Sequence, residues 1–289
     1  MDQIIIRLSA TLLPADWVII AYLGLTSVLI VFRRKNLVRW YLYLLAHITL
    51  IFAILWLSLT SESLPLLFRF LREWYPLATI PAFYWGVSPL TQMIRRGYFD
   101  DAVIRWENRL FKGQPSMFLS KHLPMMALSE VLHLCYFSYY AIVLSLPAVL
   151  YFQGRIGAFR EVVFAECLAF NVCLICYIFL PVAGPRYVFE KIGGRLAKGF
   201  LHRLTHIILS MGSSKGTAFP SSHSAIAVVV LLYAMRYDTL AFIILCPFCV
   251  GLVIGTVYGR FHYAVDTIAG TVLAGIIYGI AAALYRLLS

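Results

Sequence analysis

Eight long apolar runs constrain this chain more than any other feature of its sequence. They cover about residues 16–32, 41–59, 75–94, 124–150, 162–183, 222–236, 239–258 and 263–287. Each approaches the roughly 20 residues that a helix needs to cross the hydrocarbon core of a bilayer. The composition agrees, because 62% of the residues are hydrophobic and 13% are charged, whereas soluble domains are about half apolar and a quarter charged. The sequence therefore predicts a multi-pass integral membrane protein.

The runs favour helices, since no alternating strand pattern recurs as a membrane barrel would require. Residues 222–258 would exceed the bilayer as one helix, so we expect a hairpin that turns at Arg236-Tyr237-Asp238. The run at 75–94 contains three prolines and is expected to be kinked or re-entrant. The predicted fold class is all-α, a polytopic transmembrane helical bundle of about eight spans.

The charged residues lie mostly in loops between the runs. Segment 95–122 mixes charged and apolar residues and predicts one amphipathic helix in the membrane interface. The loops on one side of the bundle hold 17 of the 24 lysines and arginines, which by the positive-inside rule makes that side cytoplasmic. The net charge of +11 is then a membrane-surface feature, and no nucleic-acid partner is expected. We expect the plasma (inner) membrane as the location.

Polar residues gather at one end of three spans. Gly184-Pro185-Arg186 follows the fifth run, Pro220-Ser221-Ser222-His223 opens the sixth, and Arg260 to Asp266 leads into the eighth. The alternation of spans places all three segments on the same face of the membrane. We therefore expect them to form one site.

The residue types in this group suit phosphoryl transfer. His262 and Asp266 are spaced i, i+4, so the carboxylate can accept the Nδ1 proton of the imidazole and leave Nε2 free to attack. His223 is placed to protonate a leaving oxygen. The remaining candidates bind phosphate, either by a guanidinium or at the beginning of a helix; they are Arg186, Arg260, Ser221 and Ser222.

These segments resemble the type-2 phosphatidic acid phosphatase superfamily, whose motifs are written K-x6-R-P, P-S-G-H and S-R-x5-H-x3-D. Residues 220–223 are similar to the second motif and residues 255–266 to the third. The resemblance implies His262 as nucleophile, Asp266 as its orienting residue, His223 as general acid and Arg186 as phosphate ligand. It also implies a six-helix catalytic core over residues 61–289, preceded here by a transmembrane hairpin over 1–60, and no metal or cofactor.

The chain departs from that pattern in all three motifs. Phe179 stands in place of the first-motif lysine, Ser222 replaces the glycine of the second motif, and Gly255-Thr256 replaces the Ser-Arg of the third. This variant is similar to the branch that resembles inositol-phosphorylceramide synthase, which moves a phospho-headgroup between lipids. A phospholipid or lipid phosphate is the expected substrate. Hydrolysis and transfer both remain open, as does the side of the membrane on which the site lies, because relatives usually place it outside the cytoplasm.

Two other functions are compatible with the residues around His262, and a second polar group lies elsewhere in the chain. His223, His262 and Asp266 could form a metalloenzyme site, and the bundle could be a transporter, although the arginines favour an anion and the polar group lies at one end. Glu130 and His133 in the fourth run, with Lys191, are candidate headgroup or supporting residues. The six cysteines lie inside apolar runs and are expected to be apolar packing.

Overall fold

A computed structural model of the protein describes residues 11–61 and 65–289. The described residues contain thirteen α-helices and no β-strand, which confirms the all-α prediction. The helices are α1 (Pro14–Arg33), α2 (Trp40–Thr60), α3 (Leu66–Val87), α4 (Asp100–Phe111), α5 (Pro115–His122), α6 (Met126–Phe137), α7 (Tyr139–Phe152), α8 (Ile156–Phe179), α9 (Pro185–Val188), α10 (Phe200–Gly212), α11 (Ser222–Tyr237), α12 (Thr239–Tyr258) and α13 (Ala264–Leu288).

In the part of the chain that the structure describes, five helices are long and apolar enough to cross a membrane, namely α1, α2, α8, α12 and α13. The predicted span 124–150 is two helices, α6 and α7, bent by 49° at Ser138, and the pair gives a sixth candidate. Helix α11 is apolar but has 16 residues. The protein is therefore an integral membrane protein with a polytopic helical bundle, whereas the predicted number of eight spans is not reached by length and composition alone.

Helix α3 differs most from its predicted boundaries. It begins at Leu66, nine residues before the predicted run, and ends at Val87. The predicted run left out its first turns, in which the charged side chains of Arg72 and Glu73 are paired. Arg72 donates to Asp16 of α1 with 3.0 Å between Nη1 and Oδ1, and Arg160 of α8 donates to Glu73 with 2.9 Å between Nε and Oε2. Paired charges can be buried in a bundle at far lower cost than lone ones.

The core is formed around α8, which has fifteen buried residues. It packs against α1, α3, α7, α11 and α13. Helices α11 and α12 form the expected hairpin, with Asp238 between them accepting a hydrogen bond from the amide of Ala241 at 2.9 Å. All six cysteines are free and lie within helices of this bundle.

Segment 95–122 forms two helices, α4 and α5, where the sequence predicted one. They are separated at Lys112, which has φ +56°. The amphipathic pattern of α4 is present, but the face that it buries carries Asp100 and Glu107 beside Val103. That face lies against the beginning of α13 rather than on lipid alone, which brings α4 to the candidate site.

Candidate active site

The segment between α12 and α13 carries His262 in a tight turn. The carbonyl of Thr256, in the last part of α12, accepts the amides of Phe261 at 2.9 Å and His262 at 3.0 Å. Arg260 adopts φ +58° to allow this turn. Thr256 itself is fully buried, and its hydroxyl lies 3.0 Å from that of Thr267. The position at which the family motif has arginine is thus a buried threonine whose side chain contacts the beginning of α13.

The imidazole of His262 is held through its Nδ1 atom. Its Nδ1 lies 3.0 Å from the carbonyl oxygen of Ala218 and 3.7 Å from Oδ2 of Asp266. Since a carbonyl can only accept, Nδ1 carries the proton and Nε2 presents a lone pair. The expected hydrogen bond from Nδ1 to Asp266 is thus replaced by one to Ala218, and Asp266 acts on the ring through its charge.

Asp266 is completely buried in the first turn of α13. Its Oδ2 accepts the amide of Tyr263 at 2.9 Å, and its backbone carbonyl accepts the amide of Ser221 at 2.9 Å. The residue therefore joins the beginning of α13 to the beginning of α11. This link sets the spacing between the two segments that carry the histidines.

His223 lies in the first turn of α11 and faces His262. Its Nδ1 is 3.4 Å from Nε2 of His262, and its Nε2 is 3.3 Å from the hydroxyl of Tyr136 on α6. The rings of Tyr136 and Tyr139 pack on the imidazole, with centroids 5.0 and 4.5 Å away. The structure thus brings the two predicted catalytic histidines together and adds Tyr136, which the motifs did not indicate.

The two predicted phosphate-binding serines, Ser221 and Ser222, lie beside His223, but both are buried and hydrogen-bonded within the protein. Ser221 caps α11, because its Oγ accepts the amide of Ser224 at 3.3 Å, and it is fully buried. The amide of Ser222 donates to the hydroxyl of Tyr177 at 3.3 Å. Of the two residues, only Ser222 lines a cavity, the larger one described below.

The two arginines occupy different environments. Arg186, in α9, donates to the hydroxyl of Ser213 at 3.1 Å and lines a small cavity together with His223 and His262. Arg260 is 7% exposed, and its guanidinium donates to Ser120 of α5 at 2.7 Å and to the carbonyl of Glu190. Burial lowers the pKa of Arg260 from its usual range. Arg260 does not line this cavity, whereas Arg186 does.

Gly184 allows the chain to pass between these segments. It has φ +97°, and a Cβ there would lie 3.2 Å from the Cβ of Ala218 and 3.2 Å from the carbonyl oxygen of Phe261. Any larger residue would be both strained and crowded. The Gly-Pro-Arg sequence therefore places Arg186 close to the turn that carries His262.

Helix α4 supports the site with two carboxylates that the sequence argument assigned to the membrane interface. Asp100 accepts the amides of Ala183 at 2.8 Å and Gly184 at 2.9 Å. Glu107 accepts the amides of Ala264 at 2.6 Å and Val265 at 3.3 Å, at the beginning of α13. Burial raises the pKa of Glu107 to about 7, although these amides act in the opposite direction. In the sequence, the one indication that Asp100 and Glu107 are buried together is their i, i+7 spacing, which places both on the apolar face of α4.

The second polar group lies behind the turn. Glu130 accepts the amides of Leu201 at 2.9 Å and His202 at 3.2 Å and so caps α10, while Lys191 is exposed. His133 is 1% exposed and lies with two histidines of α10, His202 and His206. Among the described residues, this trio is the group of side chains able to hold a metal ion. The other metal site considered from the sequence was His223, His262 and Asp266. These side chains do not converge on one point, because His223 and Asp266 approach opposite ring nitrogens of His262.

A large apolar cavity of about 670 Å³ extends from His223 and Ser222 between α3 and α7. Its wall includes Tyr139 and Phe170, and its rim carries the exposed side chains of Trp85, Tyr140 and Leu144. The rim residues lie on α3 and α7. The small cavity at Arg186 and the apolar cavity share His223.

The sequence profile of the PAP2 superfamily matches residues 101–280. No match was found among curated proteins or among solved structures. The matched region covers more than half of the chain and contains His223, His262 and Asp266, so this protein belongs to the PAP2 superfamily. Members are phosphatases or phosphotransferases, which makes the chain a phosphoryl-transfer enzyme of that general kind.

Proposed function

We propose that the protein is a membrane-embedded lipid phosphatase or phosphotransferase that works through a phosphohistidine on His262. The observation that carries this proposal is the arrangement of His262, with Nδ1–H held by Ala218 and Nε2 facing His223 beside Arg186. An imidazole with a fixed tautomer and a free lone pair is an activated nucleophile. The guanidinium of Arg186 supplies positive charge for the phosphate oxygens.

In this mechanism, Nε2 of His262 attacks phosphorus while the bond to the lipid oxygen breaks. The protonated form of His223 gives its proton to that oxygen, and the lipid alcohol leaves. An acceptor hydroxyl then attacks phosphorus, the bond between phosphorus and Nε2 of His262 breaks, and the neutral His223 accepts the proton of that hydroxyl. The carboxylate of Asp266, 3.7 Å from Nδ1, stabilises the positive ring that forms in the first step.

A lipid substrate is supported by the apolar cavity that reaches His223. A site that combines a mostly apolar wall with a few convergent polar groups suits a ligand with one charged end. The phosphate would lie at Arg186 and the acyl chains in the cavity between α3 and α7. The bilayer is thus both the solvent of the protein and the source of its substrate. The proposed location is the plasma (inner) membrane.

The acceptor decides between hydrolase and transferase. The Gly255-Thr256 departure favours a transferase like inositol-phosphorylceramide synthase as the second candidate, because it removes the third-motif arginine that phosphatase relatives carry. With a donor labelled at phosphorus, a hydrolase releases label as inorganic phosphate, whereas a transferase leaves it in the organic phase on a second lipid.

The covalent intermediate is the direct test of the proposed mechanism. Brief incubation with a phosphorus-labelled donor should leave acid-labile, alkali-stable label on His262, and His262→Ala should remove both label and turnover. His122→Ala is the matched control, because His122 is exposed on α5 and away from the site. Label on a serine or aspartate, or substantial turnover by His262→Ala, would overturn the proposal.

A further inference from the structure

Three histidines converge at the contact between α6 and α10, outside the catalytic pair. His133 lies on α6, and His202 and His206 lie one turn apart on α10. One ring nitrogen from each histidine lies within 4.8 Å of those of the other two. The i, i+4 spacing on α10 puts two imidazoles on one helix face, as in helical zinc-binding motifs. His133 completes the group from the neighbouring helix.

Each of the three rings has a buried nitrogen with no hydrogen-bond partner in the described part of the chain. These atoms are Nε2 of His133, Nδ1 of His202 and Nε2 of His206. His133 and His202 are 1% and 6% exposed. A buried polar atom without a partner costs about 1–3 kcal/mol, so three in one place are a large penalty for a bundle to keep. A shared ligand for their lone pairs would remove that penalty.

The surroundings prepare His133 as a metal ligand. Its Nδ1 lies 2.6 Å from the backbone carbonyl oxygen of Ser129, so the ring proton is on Nδ1 and the Nε2 lone pair is free. Metal-binding histidines usually donate their other ring N–H in this way. Glu130 holds the beginning of α10 against α6 through the amides of Leu201 and His202. The geometry of the trio is thus fixed from two sides.

We propose that His133, His202 and His206 bind one divalent transition-metal ion of the zinc class, with water in the fourth position. Three neutral imidazoles and no carboxylate favour zinc, copper or nickel over magnesium or calcium, and zinc accepts three protein ligands and a water tetrahedrally. The ion joins α10 to α6 beneath the turn that carries His262. Phe261 packs against this site, since its ring centroid is 5.7 Å from those of His133 and His206.

The role of this ion is positioning. It does not touch the reacting atoms, because Phe261 and Tyr136, whose rings lie 4.2 Å apart, separate it from His223. The ion fixes the ring of Phe261, and the next residue is His262. The site therefore goes beyond the proposed catalytic mechanism and can be tested without measuring turnover.

The test is the metal content of the folded protein. We would purify the full chain in detergent without a histidine tag, incubate it with zinc, remove free metal and measure bound metal by mass spectrometry. We expect about one zinc per chain, less than a tenth of that in His206→Ala, and no change in His122→Ala. Absence of bound zinc in the folded wild-type protein, or equal content in the two variants, would refute the site.

Cobalt substitution guards against loss of metal through misfolding. The cobalt-loaded wild-type protein should show the visible absorption of a tetrahedral ion. His206→Cys keeps a donor at the same position, so it should still bind about one cobalt, with an added thiolate charge-transfer band. A His206→Cys protein that melts like the wild type and binds cobalt without that band would contradict His206 as a ligand.

Discussion

Nδ1 of His262 lies 3.7 Å from Oδ2 of Asp266 but 3.0 Å from the carbonyl oxygen of Ala218. The tautomer of the proposed nucleophile is therefore set by the backbone, and the carboxylate contributes charge. This division of roles separates the site from a triad in which the carboxylate itself accepts the imidazole proton.

Asp266→Asn is expected to lower kcat by about 10²-fold, because it removes the charge but leaves the Ala218 hydrogen bond. Loss of a carboxylate that sets the tautomer costs about 10⁴-fold elsewhere. The asparagine oxygen can still accept the amide of Tyr263, so the melting temperature should be unchanged. Turnover as low as that of His262→Ala would show that Asp266 sets the tautomer after all.

Glu107 should make stability fall as pH rises. Its pKa is raised to about 7 from an ordinary value of 4.5, so the folded state keeps a proton that the unfolded state releases between these values. The contribution of Glu107 is fully present below pH 4.5 and is lost as pH rises through 7, by roughly 2–3 kcal/mol. Relative to Glu107→Gln, the wild-type melting temperature should drop between pH 5 and pH 8. Equal changes in the melting temperatures of the two proteins over this pH range would contradict this prediction.

Vanadate should inhibit competitively, because it mimics pentavalent phosphorus. Chelation of metal ions should leave the chemical step unchanged, because Arg186 rather than a metal supplies positive charge to the phosphate. The experiment is best done in His206→Ala, which removes the trio of α6 and α10 from consideration. Turnover per folded protein in that variant should change less than twofold with excess EDTA. A loss that added metal restores would favour a metalloenzyme.

Gly255→Ser restores the residue of the family's third motif and is expected to destabilise this protein. A Cβ at position 255 would lie 2.7 Å from the carbonyl oxygen of Leu132, so α12 and α6 would have to separate. Overpacking of this kind typically costs about 1–3 kcal/mol. Gly275→Ser is the control, since nothing lies within 4 Å of a Cβ there. Equal melting temperatures would contradict the close packing.

The side of the membrane that holds the site can be read by cysteine labelling. Gly212→Cys, at the end of α10, should react with an impermeant maleimide from the face that carries His262, and Thr239→Cys, at the hairpin between α11 and α12, from the opposite face. Charge bias predicts the cytoplasm for Gly212, and the family resemblance predicts the other side. Reaction of both residues from one side would contradict the hairpin topology.

The grouping of His223, His262 and Asp266 and most helix positions follow from the sequence because they depend on local patterns. Apolar length gives the spans, and the spacing of His262 and Asp266 gives a shared helix face. The boundary of α3 does not follow, since the pairing of Arg72 with Asp16 joins residues 56 apart in sequence. The roles of Asp100 and Glu107 on α4 were missed for the same reason. The amides that they bind lie more than 80 residues away, and the local sequence does not indicate them.

The trio of histidines shows a different limit. His202 and His206 have a metal-binding spacing that was visible in the sequence, but their partner His133 lies about 70 residues earlier, in a span. Only the packing of α10 on α6 makes the three a group. Similarly, Nδ1–H of His262 donates to the backbone carbonyl of Ala218, and a backbone carbonyl carries no sequence signal.

The exposed side chains of Trp85, Tyr140 and Leu144 form the rim of the apolar cavity, which meets the small cavity of Arg186 at His223. A lipid substrate of the proposed kind that reaches His262 by this route arrives by lateral diffusion within a two-dimensional phase. The quantity that sets the rate is then the mole fraction of substrate among the surrounding lipids, and not its concentration in the aqueous volume. Diluting the bilayer with inert lipid should slow this enzyme even when the total amounts of enzyme and substrate are held constant.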